Sequence, residues 1–227
     1  MNIKKYILPI YVHFEYGHND VRPSFIGNGF IVNDYFITAY HIIAQNQNIE
    51  LQSNPYIVIN KAEFELTIEK SHSFKSTPCD KDGNAIEHED KDNGDFIAYK
   101  IDGIRSPLQL AEHNPKYGEA IDCCFFHNVN PSIDIMNVSK KKSRLYYWET
   151  KGIVMGANGF TGNFFGAIFT TCHPTGGGSS GSPLFKDNIV YGILHGGNPN
   201  VDGEEHPEIC AFYAASAART VISQKTT

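Results

Sequence analysis

What this chain of 227 residues has little of is concentrated positive charge. Nineteen Lys and Arg stand against 25 Asp and Glu, for a formal net charge of −6, and the longest basic run is Lys140-Lys141-Lys142. Neutralising a nucleic-acid backbone takes clustered Lys and Arg, so a nucleic-acid partner is excluded. No apolar run is long enough to cross a bilayer as a helix, which excludes a spanning segment and a membrane partner of that kind. Metal-ligand spacing is missing as well. His206 lies near Glu204-Glu205, and His88 lies between Glu87 and Glu89, but neither group repeats ligands along a common element as a zinc site does. Asp80-Lys81-Asp82-Gly83-Asn84 departs from the EF-hand pattern of a glycine at the sixth position and a glutamate at the twelfth. The acidic block from Asp80 to Asp95 therefore reads as a solvated loop, and no metal or cofactor is expected. Cysteine is sparse: Cys123 and Cys124 are adjacent, Cys79, Cys172 and Cys210 are scattered, and five leave at least one unpaired. Reduced, buried thiols follow.

Apolar residues make up 41% of the chain, with 20 glycines and 15 phenylalanines. That suits one all-β unit, since sandwiches and barrels run to about 200–250 residues as a single unit. Short β-rich runs fill the first half: Ile7 to Phe14, Phe25 to Val32, Tyr35 to Ala39, Tyr56 to Ile59, Phe64 to Ile68 and Phe96 to Ile101. The stretch from Asp102 to Lys116, with Pro107 and Pro115, reads as a connection. Strands resume with Ala120 to His127, Ser143 to Thr150, Gly152 to Met155, Phe164 to Thr171, Ser182 to Phe185, Ile189 to His195 and Ile209 to Tyr213. The alanine-rich run from Ala214 to Ser223 reads as a C-terminal helix.

Chemistry concentrates in Gly176-Gly177-Gly178-Ser179-Ser180-Gly181-Ser182-Pro183. Glycine admits the strained dihedrals and close approach of a loop whose backbone N–H groups aim at one oxygen. The N–H groups of Gly178 and Ser180 are placed to stabilise a tetrahedral oxyanion beside the Ser180 hydroxyl. Alone, such a run is equally a flexible hairpin loop. Upstream, Gly27-Asn28-Gly29-Phe30-Ile31-Val32 and Tyr35-Phe36-Ile37-Thr38-Ala39-Tyr40-His41 read as two strands joined by an Asn-Asp turn and ending at a histidine. Asp95 opens the alternating run Phe96-Ile97-Ala98-Tyr99-Lys100-Ile101. Taken singly, His41 is equally a core histidine and Asp95 a turn acid. Gly177-Gly178-Ser179-Ser180-Gly181 also fits G-x-S-x-G with Ser179 as nucleophile, but that elbow needs a helix after the serine, where Pro183-Leu184-Phe185 reads as strand.

With His, Asp and Ser in that order, and with Tyr191-Gly192-Ile193-Leu194-His195-Gly196-Gly197 following, the chain resembles the chymotrypsin-like (trypsin-like) serine peptidases over nearly its whole length. GSSGSPLF followed by this second glycine-rich strand looks most like the bacterial branch that includes glutamyl endopeptidases and the periplasmic heat-stress proteases. The resemblance implies a double β-barrel: a first barrel over about 1–108, a second over about 116–213, and a short helix over about 214–223. It implies a serine endopeptidase in which His41 is the general base, Asp95 orients it, Ser180 attacks the carbonyl, and Gly178 and Ser180 form the oxyanion hole. In the digestive enzymes an aspartate before the nucleophile pairs with a newly cut N-terminus. Here that position is Ser179, so the oxyanion loop must be ordered intrinsically or by a partner.

The expected substrate contacts are His173, Pro174, Thr175, Leu194, His195, Gly196 and Gly197. Pro174 stands where trypsin carries the aspartate that selects Arg or Lys, so that preference is disfavoured. Thr175 matches a threonine that glutamyl endopeptidases use beside a histidine, but the histidine is displaced by one, with Leu194 in its place and His195 after it. A one-residue shift along a strand moves a side chain to the opposite face, so His195 faces either Asp95 or substrate. A small or medium polar or apolar residue is expected before the scissile bond, with acidic or amide residues second and His173 as a nearby polar contact. His173 and His195 are equally ordinary loop and strand positions.

The run Tyr6-Ile7-Leu8-Pro9-Ile10-Tyr11-Val12-His13-Phe14 is short, broken by proline and histidine, and without a small-residue cleavage site, so it reads as a first strand rather than a signal peptide. A cytoplasmic location is expected. An intracellular protease endangers its host, so a regulatory protein partner is expected beside the protein or peptide substrate. The second function class is a catalytically silent protease homologue that uses its barrels as a protein-binding module.

Overall fold

In the computed structural model, strand-forming runs organise residues 2–16, 20–47, 49–50, 52–71, 95–128, 145–160, 165–171, 178–197, 200–201, 204–205 and 209–216, which are the residues it describes. The first half contains β1 (Ile7–Glu15), β2 (Val21–Val32), β3 (Tyr35–Thr38), α1 (Tyr40–Asn46), β4 (Tyr56–Ile59), β5 (Ala62–Glu65) and β6 (Ile97–Lys100). A 3-10 turn over Ile3–Tyr6 precedes β1. The second half contains β7 (Gln109–Leu110), β8 (Ala120–His127), β9 (Tyr146–Phe160), β10 (Phe165–Thr171), β11 (Pro183–Lys186), β12 (Ile189–Gly197), β13 (Asn200–Val201), β14 (Glu204–Glu205) and β15 (Ile209–Ala214).

The first sheet has the order β5-β4-β1-β2-β3-β6. The β2–β3 hairpin closes through Asn33 and Asp34, with Asn33 at φ 53°, a left-handed conformation asparagine tolerates. The second sheet runs β11-β8-β9-β10-β15-β12-β7, and an additional β11–β12 pairing closes it into a barrel. The fold is all-β with two barrels, as the sequence predicts.

Two apolar clusters hold this together. One lies inside the second barrel around Phe125, Leu184, Leu194 and Phe212. The larger one begins in the first barrel with Phe30, Phe36 and Ile37 and runs across the junction to Phe185, Val190 and Tyr213. Phe96 of the first half and Tyr213 of the second stack with ring centroids 6.3 Å apart. Burying each such side chain contributes roughly 1.5–3 kcal/mol, so the two barrels are fused by a shared core rather than merely tethered.

Differences from the sequence expectation have local causes. The expected strands Ser143 to Thr150 and Gly152 to Met155 merge into the single strand β9 from Tyr146 onward, because β8 pairs with it continuously through Lys151, while 143 and 144 lie outside the described residues. The strand expected over Phe64 to Ile68 lies earlier, as β5 at Ala62–Glu65, where its pairing with β4 runs from Ile59↔Ala62 to Tyr56↔Glu65. The connection over 102–116 contributes β7, which pairs in parallel with β12. Helix begins at 215–216, and the rest of the expected C-terminal helix lies outside the described residues, as does the acidic block up to residue 94. Cys123, Cys124 and Cys210 are buried and form no disulfide among the described residues, while Cys79 and Cys172 lie outside them. Burial pushes the Cys124 thiol up to about 12, which leaves it protonated and inert at neutral pH.

Candidate active site

Pairing of β3 with β6 brings Thr38 opposite Ile97, so Asp95, two residues before Ile97, lies beside the turn that leads from Ala39 into α1. The helix α1 has no side-chain cap of its own at Ala39. Asp95 supplies one from 54 residues away: its Oδ1 accepts the His41 backbone N–H at 2.9 Å. A helix start leaves its first N–H groups unpaired, so this bond both completes the helix and fixes the carboxylate's orientation. The other oxygen, Oδ2, lies 2.7 Å from His41 Nδ1.

His195 meets the same carboxylate. Its Nδ1 lies 2.5 Å from Asp95 Oδ2, and the His41 and His195 rings stand edge to face with centroids 5.4 Å apart. Of the two faces the sequence allows, His195 therefore takes the one toward Asp95. The carboxylate side chain is 8% exposed, and the imidazoles are 26% and 23% exposed. Burial on its own would raise the Asp95 carboxyl, but the hydrogen bonds from His195 and His41 hold it well below the ordinary carboxylate range. An ionised carboxylate only accepts, so each Nδ1 carries the proton and donates. The Nε2 lone pair of His41 is thereby left free to take a proton.

Among the described residues, His41, Asp95 and His195 form the one group of three such side chains with ligand atoms near enough to surround an ion. Zinc bonds of about 2.0–2.1 Å at a tetrahedral angle put neighbouring ligand atoms about 3.3 Å apart. The contacts of 2.5 and 2.7 Å are those of hydrogen bonds instead.

Ser180 lies in the turn before β11. Gly181 N–H donates to Leu194 O and Leu194 N–H to Ser182 O, both at 2.8 Å, which locks the turn onto β12. The Ser182 hydroxyl donates to Ser179 O at 2.5 Å, bracing the turn from within. Gly181 sits at φ +81°, and a Cβ there would lie 2.0 Å from Asn28 O and 2.4 Å from Thr38 Oγ1, so only glycine allows this approach of the turn to the first barrel. Gly178, at φ +98°, shares the turn with Ser180, and a Cβ would strike Phe25. The Ser180 hydroxyl donates to His195 O at 3.3 Å rather than to His41. Catalytic hydrogen bonds are often long or misaligned before substrate binds, and the hydroxyl turns about one bond.

Among the other expected contacts, His173, Pro174 and Thr175 lie outside the described residues. Leu194 is fully buried in the second barrel's apolar cluster. Gly196 and Gly197 end β12, and among the described residues nothing lies within 4 Å of where a Cβ would stand at Gly196.

No protein-family model matches the sequence, and no curated protein matches it. Solved structures do share its fold. The inactive form of a serine-to-alanine mutant of Rv3671c from M. tuberculosis H37Rv superposes with a TM-score of 0.57 at 14% identity, covering 99% of this chain and 89% of that one. Neuropsin, a serine protease of mouse brain, gives 0.55 at 18% identity, covering 97% and 93%. A scabies mite inactivated protease paralogue gives 0.50 at 13%, covering 95% and 93%. The fold is thus the chymotrypsin-like double β-barrel.

Proposed function

We propose that this chain is a serine endopeptidase. The observation that carries the reading is the His41–Asp95 pair: a buried, ionised carboxylate fixes His41 with Nδ1 protonated and Nε2 free, on helix α1, whose Ile42 lies against Gly181 of the Ser180 turn. Such a pair turns a poor hydroxyl nucleophile into an effective one. In the proposed cycle His41 Nε2 takes the Ser180 proton as Oγ attacks the peptide carbonyl, and the N–H groups of Gly178 and Ser180 stabilise the oxyanion. His41 then protonates the leaving amine, and water activated by the same imidazole hydrolyses the acyl-enzyme. The branch we favour is the bacterial glutamyl-endopeptidase and heat-stress-protease group, acting in the cytoplasm under control of a protein partner.

The engagement of His195 with Asp95 removes the one histidine that an acidic preference would call for on β12. Together with Pro174 in the sequence, this favours a small or medium polar or apolar residue before the scissile bond. A peptide-library cleavage profile tests this, with Ser180→Ala as control. Cleavage lost in the control supports a peptidase, and dominant cleavage after Arg or Lys would refute the pocket assignment.

The silent binding module is the second reading, and the Ser180 hydroxyl bond to His195 O in place of His41 is what favours it. Intact His41, Asp95 and Ser180 weigh against it.

A further inference from the structure

Asn28 lies between two glycines on β2 and is fully buried. A buried amide must place every polar atom, and this one does so across both barrels. Its Nδ2 donates to Gly178 O at 2.8 Å and to Phe126 O at 3.0 Å, and its Oδ1 accepts the Phe126 N–H at 2.7 Å. Turning the amide over would set its oxygen against two carbonyls and its nitrogen against an N–H, so the orientation is fixed by its partners. The Asn28 backbone N–H donates to Ser180 O at 2.9 Å, and its carbonyl accepts the Thr38 hydroxyl at 2.6 Å.

We infer that Asn28 is a positioning residue for the oxyanion turn, a role that rests on the peptidase reading above. It holds the carbonyls of Gly178 and Ser180, which flank the peptide carrying the Ser180 N–H. The side chain ties Gly178 O of the turn to Phe126 on β8, while the Asn28 backbone N–H holds Ser180 O, so this one uncharged residue sets the turn's height above the second barrel through side chain and main chain together. No cleavage of the chain is needed for this restraint, because all its members belong to the folded scaffold. The turn is therefore built in its final position on folding.

The test is the rate of covalent labelling by a fluorophosphonate, whose phosphoryl oxygen occupies the oxyanion position, in Asn28→Asp and Asn28→Ser. Asp keeps the shape and the acceptor for Phe126 N–H but loses both N–H donors, and Ser cannot reach either carbonyl. In the folded variants the maximal labelling rate constant is expected to fall on the order of 10- to 100-fold, with the reagent's binding constant changed less than about threefold, since small misplacements of a preorganised donor act on the reacting state. Folded variants that label at the wild-type rate would overturn the inference.

If neither variant folds, amide exchange on the intact wild-type protein decides. The Asn28 side-chain amide protons, held on Gly178 O and Phe126 O, are expected to exchange as slowly as the core amides of β2, and exchange more than about tenfold faster would show that the turn lifts away. Wild-type protein that takes no label refutes the peptidase reading, whereas the exchange measurement judges the restraint by itself.

Discussion

His195 places its Nδ1 2.5 Å from Asp95 Oδ2, on the oxygen that His41 Nδ1 reaches at 2.7 Å. One carboxylate thus holds two imidazoles, and the second has a measurable task. Replacing His195 by Ala removes a charge-assisted donor, a bond of about 1.5–3 kcal/mol, and leaves His41 less firmly oriented. Turnover is expected to fall roughly tenfold with KM unchanged. His195→Asn keeps an N–H near the Nδ1 position and is expected to restore most of the rate. A change in cleavage preference with unaltered turnover would instead put His195 in the substrate pocket.

Asp95 makes acid stability part of the same account. Its folded carboxyl lies below the unfolded value of about 3.9, so its contribution is complete above about pH 5 and lost as pH falls. The gap in urea midpoint between wild type and Asp95→Asn is expected to be full at pH 7 and to narrow progressively as pH falls below about 4, without closing by pH 3. A gap that stays constant over this range would contradict the paired, ionised carboxylate.

Tyr99 carries a cost that substitution can remove. Its ring is fully buried with Phe36 and Phe64 each 6.5 Å away, and its hydroxyl finds no partner among the described residues. An unsatisfied buried polar group costs about 1–3 kcal/mol. Tyr99→Phe is expected to raise Tm by about 2–4 °C for each kcal/mol regained. A lower Tm would mean that the hydroxyl is bonded after all.

Gly181→Ala tests the close approach beside Ser180. The added Cβ meets Asn28 O and Thr38 Oγ1 well inside contact distance at a positive φ, and the oxygen belongs to a backbone locked in β2. Destabilisation by more than about 1 kcal/mol is expected in chemical denaturation, together with a loss of Ser180 reactivity. Wild-type stability would show that the turn is free to move outward.

Much of this was readable in residue order. β4 and β8 have the limits their alternation predicts, and the hairpin turn at Asn33 and Asp34 follows from asparagine's tolerance of a left-handed conformation. What local pattern could not carry was held by distant partners. Helix α1 is invisible as a short run without a cap because its cap is Asp95, brought in by the β3–β6 pairing. His195 had two allowed faces, and the register of β12 against the Ser180 turn selects one. Asn28 looked like part of a strand motif, and its contacts lie 98 and 150 residues away, beyond any sequence period.

The central claim is that His41 and Asp95 make the Ser180 hydroxyl a nucleophile. Its most direct test is intact-mass and peptide mapping after fluorophosphonate treatment of the full chain. One adduct is expected, located on Ser180, absent in Ser180→Ala and formed at least about 100-fold more slowly in His41→Ala. Absence of any adduct on the wild-type protein, or an adduct that forms equally well in Ser180→Ala, would contradict it.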